Sequence, residues 1–366
     1  MPASTSAVRQ LEQDAQNGEE NVVRSIQSRQ KNFVATVLVP GGAGYIGSFT
    51  CRALRKAGHE PIAYDDLSTG HRELAQGELI VGDIRDAGRL RDLVAKRTIT
   101  AVIHFAANAL ARESVREPAK FYDVNVGGMI TLLEVCREAG ISAFVFSSSC
   151  STYGVPRYLP IDEAHPQAPI SPYGRTKLIG EWMLRDYAVG YGLGYAALRY
   201  FNAAGGDGEG RLGEWHEPET HLIPLALEAT RTGRPLTVFG VNHDTPDGTC
   251  IRDYIHVEDL AHGHVLALDH LLRGGESLEL NFGTGKGHSV REVLESVTRV
   301  VGREVPVTIG QAQAGDPPCI FADAHRAREL LGFHCQRADL DDIVASAWAF
   351  HRTILERPRA AMPERR

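Results

Sequence analysis

The stretch "VLVPGGAGYIGS", residues 37–48, sets Gly41, Gly44 and Gly47 in G-x-x-G-x-x-G spacing between a β-branched run and a helical one. "FVATVLVP" (33–40) reads as a buried strand, and "SFTCRALRKAG" (48–58) as a helix that stops at Gly58. Glycine at such a junction permits a tight turn and lets the backbone approach a pyrophosphate. The helix start adds free N–H groups and partial positive charge. The spacing alone also fits a plain turn; the strand before it and the helix after it favour a dinucleotide loop.

The same rhythm continues outward. "PIAYDD" (61–66), "LIVGDI" (79–84), "AVIHFAA" (101–107), "AFVFSSS" (143–149) and "GYAALRYFN" (194–202) read as strands, with helical stretches such as "TLLEVCREAG" (131–140) between them. Apolar strands alternating with helices specify an α/β fold, a doubly wound parallel sheet of Rossmann type. After residue 203 the pattern breaks into Gly-, Pro- and His-rich segments, read as a smaller C-terminal α/β substrate region. The expected organisation is therefore a mobile extension over 1–32, a dinucleotide domain over 33–203, a substrate region over 204–355 interleaved with it, and a tail over 356–366.

Bulk properties narrow the partners. The net charge of -7 and the lack of a basic run argue against nucleic acid and anionic membrane. No apolar stretch approaches the roughly 18 residues of a membrane span. The six cysteines form no C-x-x-C pair and suggest neither a zinc site nor a disulfide framework, consistent with a reducing, cytoplasmic setting. His262 and His264 are i and i+2 on an expected helix and share no face, so no metal ligands are assigned.

Asp65 ends the second strand. A carboxylate there can accept from both hydroxyls of an adenosine ribose and would repel a 2′-phosphate, which favours NAD over NADP. Asp83, after the third strand, could meet the adenine edge or cap a helix.

"SPYGRTK" (171–177) sets Tyr173 and Lys177 at i and i+4, on one helical face. Ser171 and Pro172 also suit an ordinary helix start. Beside a dinucleotide loop the pair reads as proton-transfer machinery. Bringing a phenol from pKa 10 to near 7 takes about 3 units, or roughly 4 kcal/mol. The lysine and a nicotinamide cation both push in that direction. The strand end "SSSCS" (147–151) supplies Ser149 as a hydroxyl relay.

Together these residues carry a resemblance. The chain resembles the extended short-chain dehydrogenase/reductase superfamily and, within it, the UDP-glucose 4-epimerase family. The match covers roughly residues 34–355 through "GGAGYIGS", "YDDLSTGHR", "ESVREPAKFYDVNV", "SSSCSTYG", "SPYGRTK", "RYFNAAG", "HLIPLALEA" and "DGTCIRDYIHVEDLA". The resemblance implies Tyr173 as base, Lys177 as its partner and Ser149 as assistant. It implies an NAD site of Gly41, Gly44, Tyr45, Ile46, Gly47, Asp65, Asp66, Asp83, Ile84, Phe105, Ala106, Asn125, Ser147 and Tyr200, together with Tyr173 and Lys177. UDP-sugar contacts fall to Ser149, Tyr173, Asn202, His221, Leu222, Arg252 and Asp316. The implied reaction is NAD-dependent inversion at C4 of a UDP-hexose, galactose to glucose, through a 4-keto sugar, in a homodimer. A preference for arabinose/xylose or N-acetylhexosamine stays open, as does a 4,6-dehydratase. The sequence departs from the family at Pro40, Phe49, Asn108 and Gln313. The last stands where an arginine usually reaches the diphosphate, a loss of roughly 1.5–3 kcal/mol.

Overall fold

Apolar residues fill the strands of the central sheet, and in all but the edge strand over residues 78–81 most side chains are buried on both faces. The computed structural model describes residues 34–311 and 317–356. The expected N-terminal extension and all but the first residue of the C-terminal tail lie outside the described residues, as do Gln313 and Asp316. The described residues from Ala35 onward form one compact unit.

The strands are β1 (Thr36–Pro40), β2 (Glu60–Asp65), β3 (Glu78–Val81), β4 (Ala101–His104), β5 (Ala143–Ser147), β6 (Gly194–Tyr200), β7 (Asn202–Ala204), β8 (Leu236–Phe239), β9 (Ile251–His256), β10 (Leu278–Phe282), β11 (Gly287–Ser289), β12 (Val307–Gly310) and β13 (Cys319–Ile320). The main helices are α1 (Tyr45–Lys56), α2 (Ala87–Lys96), α3 (Ala111–Arg116), α4 (Gly128–Ala139), α5 (Pro172–Tyr191), α6 (Leu222–Thr232), α7 (Val257–Leu272), α8 (Val290–Val301) and α9 (Leu340–Glu356).

Seven strands form an all-parallel sheet in the order β10-β6-β5-β4-β1-β2-β3. This is the doubly wound arrangement expected. The order reverses between β1 and β4, the switch point where such sheets open a crevice beyond the strand ends. The seventh strand comes from residues 278–282, and α7 packs on α1 on one face of the sheet. Sequence well past residue 203 thus completes the sheet begun at residue 36.

Smaller sheets build the other side. β9 pairs with β7, β11 and β13, and β8 pairs with β12. α6, α8 and α9 close over them around Ile223, Val297, Leu340 and Ile343. Among the described residues no helix is long and apolar enough to cross a membrane.

Candidate active site

β1 ends at Pro40, and the chain turns at Gly41 with φ +82°. A Cβ there would stand 2.6 Å from the Ala106 nitrogen, and one on Gly47 would stand 2.0 Å from the Gly41 carbonyl oxygen. Both positions therefore require glycine. The Gly41 N–H donates to the Tyr64 carbonyl at 2.8 Å, locking the turn against β2. α1 begins after Gly44 with no side-chain cap and no acidic residue in its first turn. Its N–H groups and positive end are left for an anion, which suits a pyrophosphate.

Asp65, at the end of β2, is buried and accepts from the N–H of Ala43 at 3.0 Å and of Leu67 at 2.9 Å. Burial raises its pKa while those two N–H groups act the other way. Asp66 accepts from the N–H and hydroxyl of Ser68. Asp83 is held below its usual value chiefly by the Arg85 guanidinium. It does not cap the following helix: Asp86 does, accepting from the Arg89 N–H at 3.0 Å. The buried carboxylate and the bare helix start fit a dinucleotide.

Opposite lies α5. Ser171 caps it through the Gly174 N–H at 3.1 Å and Pro172 opens it, so the ordinary helix-start reading also holds. The Tyr173 N–H donates to Ser114 Oγ at 3.1 Å, tying α5 to α3. Lys177 is buried. Its Nζ donates to the Ser147 carbonyl at 2.6 Å and lies 5.9 Å from the centre of the Tyr173 ring. The Ser147 and Tyr200 hydroxyls are hydrogen-bonded to each other. The Ser149 hydroxyl lies close enough to the Tyr173 phenol to favour its ionised form.

Burial acts on the tyrosine and the lysine alike. Burial pushes the Tyr173 phenol up to about 12, and the Ser149 hydroxyl only partly opposes it. Burial also takes Lys177 down to about 7, against the pull of Glu181. Desolvation is the largest influence on both groups.

One cleft is lined by Gly41, Gly44, Tyr45, Ile46, Gly47, Asp65, Asp66, Asp83 and Ile84 on one side. Phe105, Ala106, Ser147, Ser149, Tyr173, Lys177, Tyr200, Asn202 and His221 line it on the other. Four expected residues are not in this lining. Asn125 sits in a π-helical turn, Tyr122–Gly127, that leads into α4. It is buried, grips the Asn108 backbone through both N–H and carbonyl, and donates to Thr176 Oγ1 at 3.0 Å. It thereby fixes the 105–110 loop to the turn carrying Tyr173 and Lys177. Leu222 opens α6 and packs into the apolar cluster around that helix. Arg252 lies on β9, in register with Ile320 of β13, and its charge acts on the Cys150 thiol. It has no carboxylate partner among the described residues: Asp253 accepts from Thr284, Gly285 and Ala322, and Glu258 pairs with Arg52 and Arg337. Asp316 lies outside the described residues.

Glu214, His216 and Glu217, in a Gly-rich stretch whose sequence reads as a loop around the substrate without singling them out, also line the cleft, as does Lys120, paired with Glu113 at 2.6 Å. "EWHEPETH" (214–221) carried a legible signal in its E-x-H-x-x-E-x-H spacing. Of the two helical histidines, His264 is a core residue whose Nδ1 meets the Leu260 carbonyl, packed near the Phe105 and Tyr200 rings. Cys150 is held at about 12, chiefly by burial, and is no thiolate nucleophile at neutral pH.

A glycine-turned strand–helix junction at a switch point, faced by a buried Tyr–Lys helix, defines a dinucleotide-dependent enzyme of the short-chain dehydrogenase/reductase type. The chain belongs to the NAD dependent epimerase/dehydratase family, which it matches over residues 37–283. It is 53% identical over 317 residues to UDP-glucose 4-epimerase of Rhizobium meliloti (strain 1021), covering 86% of this chain and 96% of that one. A structure of UDP-glucose 4-epimerase from Brucella ovis in complex with NAD superposes with a TM-score of 0.84 at 54% identity, over 87% of this chain and 99% of that chain. A UDP-glucose-4-epimerase from Stenotrophomonas maltophila, solved with bound NAD and formylated UDP-arabinopyranose, gives a TM-score of 0.85 at 38% identity, over 89% and 100%.

Proposed function

We propose that the chain is an NAD-dependent UDP-hexose 4-epimerase interconverting UDP-galactose and UDP-glucose. The observation that carries the reading is the meeting of Tyr173, Lys177 and Ser149 with the glycine loop and Asp65 in one cleft. Relatives above 50% identity that carry this activity support the substrate.

NAD, bound along the glycine loop and Asp65, supplies a reversible hydride acceptor. Tyr173 takes the proton of the sugar 4-hydroxyl, with Ser149 bridging the two oxygens. Lys177, held by the Ser147 carbonyl, favours the phenolate electrostatically. Starting from about 12, the phenol needs roughly 5 units, or about 7 kcal/mol, to ionise near neutrality. A nicotinamide cation held in the cleft would favour the same phenolate. Arg252 and Asn202 hold the nucleotide diphosphate, and the 4-keto sugar turns about that anchor to present its other face. The proton returns from Tyr173 to the inverted carbon's oxygen.

The residues after Ser149 are Cys150 and Ser151, which leaves a dehydratase's acid–base carboxylate no place there. Half-buried Ile320, packed near Phe201 and Cys150, is a compact neighbour for the sugar. A homodimer is supported by the outward faces of α4 and α5, where Ile130, Trp182, Val189 and Tyr191 are exposed. Free cysteines support a reducing, cytoplasmic location. The test is to incubate the purified protein, without added NAD, separately with UDP-galactose, UDP-GlcNAc and UDP-arabinose, and to analyse each for its C4 epimer. Glucose formation from the first is expected; no epimer from any of the three refutes the reading.

A further inference from the structure

Between β7 and α6 the chain runs through residues 205–221, most of which the mechanism leaves without a role. Four of its side chains, Glu214, His216, Glu219 and His221, each bring one ligand atom within 4.8 Å of all the others. The arrangement is reciprocal. His216 Nδ1 lies 3.4 Å from Glu214 Oε1 and 3.6 Å from Glu219 Oε2. His221 Nδ1 lies 2.7 Å from Glu214 Oε1 and 3.2 Å from Glu219 Oε1. Each imidazole thus faces both carboxylates.

These separations are close to those of a coordination sphere. Ligand bonds of about 2.0–2.1 Å in a tetrahedron place donor atoms about 3.3 Å apart. Taking either Glu219 oxygen as donor, three of the four distances fall within a few tenths of an ångström of that value, and His221 to Glu214, at 2.7 Å, would have to open. A second observation points the same way. His216 Nδ1 is shielded from solvent and makes no well-aligned hydrogen bond, although both carboxylates stand within ion-pair distance of it. A buried polar atom of this kind is costly unless something satisfies it. Around a metal the same nitrogen would point a ligand lone pair at the centre of the four groups.

The surroundings hold the ligands in place. Glu219 Oε1 accepts from the N–H of Thr220 at 2.7 Å and of His221 at 2.8 Å. Trp215, between two ligands, stacks on His71 with ring centres 3.7 Å apart. The His216 ring meets Tyr45 edge to face, and the Tyr45 hydroxyl donates to the Gly205 carbonyl at 2.7 Å. Metal ligands oriented by neighbours in this way bind more tightly.

We propose that Glu214, His216, Glu219 and His221 form a site for a divalent transition ion, of the two-nitrogen, two-oxygen class that suits Zn2+, which clips segment 205–221 beside the dinucleotide cleft. Imidazole with carboxylate is a donor set for Zn2+ and its neighbours rather than for Mg2+ or Ca2+. His221 then serves the metal rather than the substrate. The ion holds the loop against the first turn of α1 and takes no part in proton transfer.

The test uses the untagged full-length enzyme with its cofactor. It is stripped with a chelator, desalted, reloaded with Zn2+ and assayed for metal by mass spectrometry and for melting temperature. About one equivalent retained per chain, with a higher melting temperature, is expected. His216→Ala and Glu219→Gln should each weaken Zn2+ retention about 100-fold, with circular dichroism confirming the fold. Loading with Co2+ should give the visible absorption of a four-coordinate site, which serves even where a variant fails to fold. Retention below about 0.1 equivalent by the wild type, a six-coordinate Co2+ spectrum, or undiminished binding by the folded variants would each overturn the proposal.

Discussion

Replacing Glu181 by Gln tests how α5 is held in place, in two readouts at once. Glu181 is one turn beyond Lys177 and fully buried. Its carboxylate accepts from Ser148 at 2.5 Å, Gln167 at 2.8 Å, and Arg199 at 2.9 and 2.7 Å. Arg199 is itself buried on β6 and keeps Glu279 at 2.6 Å and the Tyr153 hydroxyl at 3.1 Å. Breaking a buried pair costs about 3–5 kcal/mol. Because Glu279 remains, the lower figure, about 3 kcal/mol, applies. At about 2 °C per kcal/mol for a chain of this size, the melting temperature should fall by about 6 °C. The second readout is electrostatic. Glu181 raises the Lys177 pKa against the burial that lowers it, so removing its charge lets that pKa fall further. Lys177 then loses its proton at lower pH, and the alkaline limb of kcat should move acidward by about one unit. Calorimetry and a pH–rate series measure both. The companion double variant, Glu181→Gln with Arg199→Met, should recover most of the lost stability because no charge is left stranded. A single variant that melts like the wild type and keeps its alkaline limb would refute the account of how this helix is positioned.

Other consequences are open to direct measurement. Tyr173→Phe should lower kcat by about 10²–10⁴ while NAD still copurifies; near-normal turnover would remove Tyr173 from the chemistry. Lys177 titrates near 7 in the folded chain against 10.5 in water, so from pH 7 to 10.5 the unfolded state carries the extra proton and stability rises with pH. Lys177→Met should therefore be inactive yet more stable at pH 7 by a few kcal/mol, at most about 5, with a flatter pH–stability curve; a lower melting temperature at pH 7 would contradict this. Gly47→Ala would drive a methyl to 2.0 Å from the Gly41 oxygen and should leave a protein that purifies without NAD, read from its absorbance. Arg252→Met should raise KM for the UDP-sugar by about 10–100-fold with kcat little changed, the loss of one charge-assisted contact; an unaltered KM would place the diphosphate elsewhere.

The glycine loop, Asp65 and the Tyr173–Lys177 pair were legible because each is a short-range pattern. A strand, a tight turn and a helix start lie within a dozen residues, and an i,i+4 pair shares a face by helix geometry alone. The doubly wound sheet was legible too, since strands buried on both faces read as continuous apolar runs. Other features depend on which distant segments meet. That residues 278–282 would pair with β6, giving Arg199 its second carboxylate at Glu279, cannot be read from either segment. That Asn125, expected at the cofactor, would clamp Asn108 to Thr176 from a π-helical turn could not be read from its own segment. The extent of desolvation at Tyr173 was not legible for the same reason. Spacing places a lysine near a phenol, but only packing determines how much water both lose, and here desolvation wins. The Glu214–His221 cluster shows the division most clearly. Its spacing lay in plain view, yet the convergence of four donors on one point comes from a loop folded against α1 and held there by tertiary contacts. Local sequence thus determined which chemical groups this protein carries, and the tertiary structure decided their solvation and their partners, because dielectric environment and long-range contacts are properties of the packed whole.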